Sequence, residues 1–226
     1  MVRYGASGRE VVLRDGGYEA RIVTVGAGLA GLTYRGHEVI VPHRVDECPP
    51  AYLGKVLMPW PNRVAGGAYS WEGTSYDLPV DEPAFGTSLH GFVAFQDWQV
   101  DRADASCVQL STLIAARYSY PWTLLASARY SLDARAGLAV ELSATNVGQG
   151  TAPLGVGFHP YLAVDSIRAD DLELTNPASI IYEADASMIP VAAHDVAGFG
   201  LDFRSPARIG EAGLDHCFAG LPPGTW

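Results

Sequence analysis

The chain has 226 residues, of which 48% are hydrophobic and 18% charged, and its formal net charge is −10. This composition is ordinary for a globular protein, while the negative charge argues against nucleic acid or an anionic membrane as a partner. There is no run of about 18 apolar residues to span a bilayer, and the first residues lack the apolar core of a signal peptide. Three scattered cysteines do not make a disulfide framework. We therefore expect a reduced, cytoplasmic protein.

Short strands are predicted along the chain, because 25 Gly and 15 Pro are dispersed through it and leave little room for helices. In chain order the predicted strands are residues 11–14, 18–25, 29–34, 38–41, 98–102, 108–113, 124–132, 138–146, 151–157 and 172–174. Residues 124–132 and 138–146 form the clearest hairpin, since apolar and polar side chains alternate in both. With no amphipathic helix, repeat or linker, the pattern predicts one antiparallel β-sandwich domain over residues 1–226.

Residues 25–31 (VGAGLAG) match the G-x-G-x-x-G pattern of dinucleotide-binding loops and follow an apolar run. A parallel crossover needs about a dozen residues or more before the next strand, whereas only four residues separate Gly31 from Gly36. No acidic residue stands where a ribose would be held. We therefore predict a tight antiparallel turn here, in which glycine supplies positive φ.

Four segments set charged or titratable side chains among proline, glycine and aromatic residues, which favours turns over regular strands. They are residues 58–64 (MPWPNRV), 88–92 (SLHGF), 157–161 (GFHPY) and 214–218 (LDHCF). The first three offer two histidines and an arginine on aromatic-rich loops, and the fourth adds an aspartate. Such a set suits a site that grips a polyhydroxylated ring and moves protons on it.

Each of the residues also has a simpler interpretation. A single histidine in apolar company, such as His90 or His159, is more often a hydrogen-bonded structural residue than a catalyst. Pro160 favours function for His159, because it forces the preceding backbone to be extended and so orients the imidazole. Arg63 is either a surface residue of a turn or a rigid fork for vicinal hydroxyls. The aromatic residues nearby either line a sugar ring or fill the core.

Metal and nucleophile chemistry find little support in the sequence. Asp215, His216 and Cys217 stand together, but a zinc site needs three or four ligands at recurring short spacings, and Cys217 has only His216 near it. No G-x-S-x-G motif is present, and Cys48 has no evident base.

The order and approximate spacing of the four segments resemble those of the aldose 1-epimerases (galactose mutarotases), from about residue 10 onward. The resemblance implies an all-β, galactose mutarotase-like antiparallel β-sandwich (a supersandwich) that interconverts the α and β anomers of free aldoses such as galactose and glucose. It implies a small-molecule aldose as the partner and no cofactor or metal. In the family scheme a glutamate takes the C1 hydroxyl proton while a histidine protonates the ring oxygen.

Matching the motifs residue by residue, His159 is similar to the general acid and His90 to the second histidine, which hydrogen-bonds the sugar near its ring oxygen. Asn62 and Arg63 resemble the pair that binds sugar hydroxyls, and Asp215 resembles the acid that holds them from the other side. The family's base glutamate lies well beyond the segment that resembles residues 214–218. The last glutamate here, Glu211, precedes that segment, so the base has no counterpart.

We therefore expect a sandwich whose C-terminal strands are missing, either a fragment of a longer product or a shortened member, and we favour the fragment. Two functions stay open. The chain is either an epimerase of this family or a non-catalytic member that binds the sugar and does not catalyse its conversion. A phosphosugar epimerase is a third and weaker reading, because beyond Arg63 no basic cluster accompanies the site segments.

Overall fold

A four-stranded antiparallel sheet begins the computed structural model, which describes residues 4–224. Its strands are β1 (Glu10–Asp15), β2 (Tyr18–Val23), β3 (Gly28–Tyr34) and β4 (His37–Glu38). β2 and β3 pair antiparallel with Val23 opposite Gly28, which confirms the tight turn expected in place of a nucleotide loop. Gly26 in this turn has φ +73°, and a Cβ there would lie 2.3 Å from the Ala94 carbonyl oxygen.

Five short strands come next and carry part of the candidate site. They are β5 (Val56–Leu57), β6 (Arg63–Ala65), β7 (Ala68–Trp71), β8 (Thr74–Asp77) and β9 (Thr87–Leu89). β7 and β8 form a hairpin, while β6 pairs with β9 across a longer connection. In that second pair Arg63 lies opposite Leu89, so the predicted arginine and the segment of His90 are brought side by side.

The second four-stranded antiparallel sheet contains the hairpin that was clearest in the sequence. Its strands are β10 (Gln99–Ala103), β11 (Cys107–Ile114), β12 (Leu124–Asp133) and β13 (Gly137–Asn146). Along β12 every second residue from Leu124 to Leu132 is buried, as the period-two pattern predicts. The register pairs Leu124 with Asn146 and Leu132 with Leu138.

The core lies between these two sheets, where β1 and β2 contact β11 and β12. Leu13 and Ile22 of the first sheet and Leu110 and Tyr130 of the second are all fully buried. Burying an aliphatic side chain of this size contributes about 1.5–3 kcal/mol before the cost of ordering it. The Tyr130 hydroxyl donates to the Ala27 carbonyl oxygen at 2.5 Å, so this buried polar group is satisfied and joins the sheets.

The remaining elements are short. They are β14 (Gly157–Phe158), a 3-10 turn (Ala169–Asp171), β15 (Glu173–Leu174), β16 (Ile180–Ala184), β17 (Pro190–Asp195), α1 (Val196–Phe199), β18 (Ala207–Arg208) and β19 (Cys217–Ala219). β16 is the middle strand of a three-stranded sheet and pairs with both β17 and β19, while β14 pairs with β5. The domain is therefore all-β, and within residues 4–224 no helix is long and apolar enough to cross a membrane.

The predicted strand at residues 151–157 is wrong for all but its last residue, since only Gly157 is in a strand. Pro153 has no N–H to donate to a ladder. The Gly155 N–H donates instead to the Pro59 carbonyl oxygen at 2.7 Å. A Cβ on Gly155 would lie 2.7 Å from Pro61, so the segment approaches the 59–61 loop more closely than a paired strand with side chains would allow.

Candidate functional site

Two loops, at residues 58–63 and 89–92, cross and hold each other by reciprocal hydrogen bonds. The Asn62 N–H donates to Nδ1 of His90 at 2.9 Å, and the His90 N–H donates to the Asn62 carbonyl oxygen at 3.0 Å. Next to them the Phe92 N–H donates to the Met58 carbonyl oxygen at 2.7 Å. Asn62 and His90 have φ of +62° and +61°, a left-handed conformation that costs non-glycine residues free energy and that the crossing maintains.

Gly91 is required by the same crossing. Its φ is +73°, and a Cβ at this position would lie 2.1 Å from the Met58 carbonyl oxygen, which cannot move without shifting the loop. A glycine after His90 therefore lets the two backbones meet, and this explains the Leu-His-Gly-Phe sequence in physical terms.

The hydrogen bond from Asn62 also determines the state of the His90 ring. Because Nδ1 accepts a hydrogen bond from a backbone N–H, the proton of the neutral ring must be on Nε2. Burial lowers the pKa of His90 to about 4, with smaller contributions in the same direction from His159 and Arg63. At neutral pH His90 is therefore an uncharged imidazole with one N–H to donate, which suits a residue that hydrogen-bonds a neutral ligand.

His159 lies against His90, with 5.2 Å between the ring centroids and an angle of 83° between the ring planes. Its backbone is held on both sides, since its N–H donates to the Lys55 carbonyl oxygen at 3.0 Å and its carbonyl accepts from the Gly54 N–H at 2.8 Å. Tyr52 packs edge-on to His90, with ring centroids 4.7 Å apart. The two predicted histidines thus share one aromatic cluster although they are far apart in the sequence.

Arg63 is gripped by Glu82, a residue that the sequence analysis did not single out. Arg63 Nε and Nη2 donate to the two Glu82 carboxylate oxygens at 2.7 and 2.8 Å, and both side chains are 18% exposed. This pair holds the pKa of Glu82 below its ordinary value and raises that of Arg63. The Phe85 ring lies 5.0 Å from the guanidinium carbon, a cation–π distance.

Asp215 and Arg63 both line a small cavity of about 260 Å³. β19 pairs with β16, and this sheet brings the loop of Asp215 to the cavity. The Asp215 carboxylate contributes to the raised pKa of Arg63, so the two charges are within electrostatic reach of each other. The lining residues are Asn62, Arg63, Tyr182, Ala184, Met188, Pro190, Asp215, His216 and Cys217.

The five predicted residues therefore form one connected group. Asn62, Arg63 and Asp215 line the cavity, while His90 and His159 do not line it but are linked to it through the hydrogen bonds between His90 and Asn62. Within residues 4–224 no cluster of three or more His, Cys, Asp or Glu side chains has the arrangement of a metal site.

A second cavity, apolar and of about 540 Å³, lies on the same loop at Pro59 and Trp60. Trp71, Tyr120 and residues 151–155 complete most of its wall, and no His, Asp, Glu, Lys or Arg lines it. Chemistry on a polar ring needs groups that donate, accept or transfer protons. The smaller polar cavity beside the histidines is therefore the candidate site.

The fold defines the class of protein. The structure is similar to the crystal structure of galactose 1-epimerase from Lactobacillus acidophilus NCFM, with a TM-score of 0.83 and 25% identity over 95% of this chain and 70% of that one. A C. elegans aldose epimerase homologue shares the fold, with a TM-score of 0.82 and 24% identity over 92% of this chain and 67% of that one. The galactose mutarotase-like sandwich expected from the motifs is thus confirmed.

The family model of aldose 1-epimerase matches residues 9–224, and the chain belongs to this family. It is 42% identical over 212 residues to the uncharacterized protein YihR of Escherichia coli K12, covering 94% of this chain and 69% of that protein. It is 28% identical over 182 residues to human galactose mutarotase, covering 74% of this chain and 52% of that protein.

Replacing Gly91 with alanine tests the crossing of the two loops. Gly36, with φ +86° and open space around it, is the matched control. Both substitutions place alanine in a left-handed conformation at a cost of about 1–2 kcal/mol, but only G91A also pushes a Cβ into a carbonyl oxygen. In urea unfolding we expect G91A to lose more than about 3 kcal/mol and G36A about 1. Equal losses would show that the backbones do not meet at Gly91.

The state of His90 can be read by NMR. We expect its imidazole to titrate with a midpoint near pH 4 and to be the Nε2–H tautomer above that. Because the unfolded chain binds this proton near pH 6.5, His90 lowers the free energy of unfolding as pH falls from about 6.5 to 4 and has no such effect above 6.5. Long-range ¹H–¹⁵N spectra, assigned with H90Q, report both. A midpoint near 6.5 would contradict the effect of burial on His90, and an Nδ1–H tautomer would contradict the hydrogen bond from Asn62.

Proposed function

We propose that this protein binds free aldoses such as galactose or glucose at the candidate site and interconverts their α and β anomers. The observation that carries the proposal is a small polar cavity lined by Asn62, Arg63 and Asp215. It is joined, through the hydrogen bonds between Asn62 and His90, to two imidazoles whose ring centroids lie 5.2 Å apart. The relatives named galactose mutarotase and galactose 1-epimerase support it, although the chain spans only about half of the human protein.

The binding groups complement a neutral polyol. Arg63 offers N–H donors, Asp215 offers carboxylate acceptors, and the neutral His90 offers one further N–H. We assign Asn62, Arg63 and Asp215 to the sugar hydroxyls and His90 to the neighbourhood of the ring oxygen. Tyr52 and Tyr161, which pack on the two histidines, supply aromatic surface beside them.

His159 is assigned as the general acid. The C1 hydroxyl gives its proton to a base, the bond between C1 and the ring oxygen breaks, and the ring oxygen takes a proton from His159. After rotation about the C1–C2 bond the ring closes on the other face of C1, and both protons return. No atom or electron is gained or lost, so the reaction needs positioned acid and base groups and no redox partner.

The proposed reaction also needs a base that takes the proton of the C1 hydroxyl. Among the described residues that line the cavity, Asp215 is the one carboxylate, and it has a binding role in the same scheme. Glu82 is engaged by Arg63 and Thr87. Because both carboxylates already have other roles, a second candidate function is favoured, in which the chain binds aldoses without interconverting their anomers. We expect the 226-residue chain to bind aldoses weakly and to catalyse mutarotation slowly.

Polarimetry of freshly dissolved α-D-galactose and α-D-glucose separates the two candidates. If the chain accelerates mutarotation, H159A should lower the rate about 10²–10⁴-fold, the range for loss of a general acid. The matched control is H37A, since His37 is an exposed histidine paired with Asp165, and it should leave the rate unchanged.

An H159A rate close to the wild-type rate would exclude His159 as the acid. Sugar binding seen by NMR without any acceleration would establish the non-catalytic candidate, and a chain that neither binds nor accelerates would refute both.

The cytoplasmic location expected from the composition stays a prediction.

A further inference from the structure

The Glu82 carboxylate is held in place by Thr87 as well as by Arg63. The Thr87 hydroxyl donates to Glu82 Oε2 at 2.6 Å, and Thr87 is fully buried. The backbones of Glu82 and Thr87 also exchange both of their N–H···O bonds, at 3.1 and 3.3 Å. Thr87 begins β9, which ends one residue before His90. The carboxylate is therefore anchored on the same strand that delivers the histidine to the site.

This anchor orients the arginine. Of the five guanidinium N–H groups, Glu82 takes one from Nε and one from Nη2, at normal hydrogen-bond lengths. Nη1 makes one long contact, 3.4 Å, with Oδ1 of Asn62. Arg63 lines the cavity, and the donors that Glu82 does not use are left to hydrogen-bond a ligand there. Without Glu82 a long, flexible side chain would have to be ordered by the ligand itself, at a cost in side-chain entropy.

The pair also adjusts the charge around the histidines. The Arg63 cation disfavours a proton on His90, and the Glu82 carboxylate favours one. The two charges therefore oppose each other at His90. Removing the carboxylate leaves the cation uncompensated, so the pKa of His90 should fall further, which an uncharged structural contact would not cause.

We infer that Glu82 is a positioning residue of this site: it fixes the Arg63 guanidinium in the orientation in which its remaining N–H groups meet the sugar hydroxyls. The inference rests on the proposed sugar-binding function. Glu82 has no part in proton transfer to the sugar, because both of its oxygens are occupied by Arg63 and Thr87.

The test is a double-mutant cycle on sugar binding. Dissociation constants for D-galactose and D-glucose are measured by NMR titration for the wild type, E82Q, R63M and E82Q/R63M. Glu141, an exposed carboxylate of β13 that pairs with Arg129, provides the matched control E141Q. We expect E82Q to weaken binding at least about 10-fold, as small misplacements in a site do. The double variant should bind no more than about twofold worse than R63M, and E141Q should match the wild type.

An E82Q affinity within about twofold of the wild type would overturn the inference. So would losses from E82Q and R63M that multiply in the double variant, since Glu82 would then act independently of Arg63. The melting temperature of each variant is recorded alongside, because a purely structural role would lower it without producing this coupling.

A second readout keeps the inference separate from the proposed function. The Arg63 Nε–H resonance should exchange with water at least about 10-fold faster in E82Q than in the wild type, because a charge-assisted hydrogen bond is lost. If the wild type binds neither aldose, the proposed function fails. The exchange rate of this resonance then still tests whether Glu82 holds the Arg63 guanidinium. Equal exchange rates in the two proteins would refute the positioning role whether or not a sugar binds.

Discussion

The reciprocal hydrogen bonds between Asn62 and His90 are the constraint on which the candidate site depends. They hold two residues in left-handed conformations, at an expected cost of about 1–3 kcal/mol each, and hydrogen bonds of this kind return about 1 kcal/mol each. The crossing also requires Gly91, since a Cβ there would lie 2.1 Å from the Met58 carbonyl oxygen. The same bonds put the proton of His90 on Nε2. Arg63, which follows Asn62 in the chain, lies opposite Leu89, the residue before His90.

From this crossing the electrostatics of the site follow. His90 is uncharged because it is partly buried and its Nδ1 already accepts a hydrogen bond, which a proton on that nitrogen would break. Glu82 balances the charge of Arg63, and Asp215 adds a carboxylate to the lining of the same cavity. The site therefore offers hydrogen-bond donors and acceptors whose charges are mostly paired. Such a set complements hydroxyl groups better than it complements a strongly charged ligand.

The sequence predicted the fold well where one strong pattern applied. The hairpin of β12 and β13 was evident because both strands are ten residues long. β12 buries alternate side chains, and most of β13 alternates partly buried with exposed ones. Residues 151–157 misled, because apolar residues at a strand-like spacing lie against the 59–61 loop without ladder pairing. The two- and three-residue strands, such as β6 and β9, are too short to show any period, yet they bring Arg63 and His90 together.

The candidate site was predicted from motifs, while its internal contacts were not. The segments of His90 and His159 stand out because each combines a titratable ring with glycine or proline. Glu82 gives no such signal. It lies 19 residues from Arg63, in a segment where an acidic residue would be expected simply to face solvent, and only the tertiary fold brings it to Arg63. The roles of Asn62, Arg63, His90, His159 and Asp215 in binding and catalysis remain predictions that the geometry makes physically reasonable.

A crystal structure of the protein with D-galactose tests the central claim most directly. The account predicts one sugar bound between Arg63 and Asp215, with its ring oxygen within hydrogen-bond distance of one of the two imidazoles. A sugar found in the apolar cavity at Trp60, or one that touches neither histidine, would contradict it.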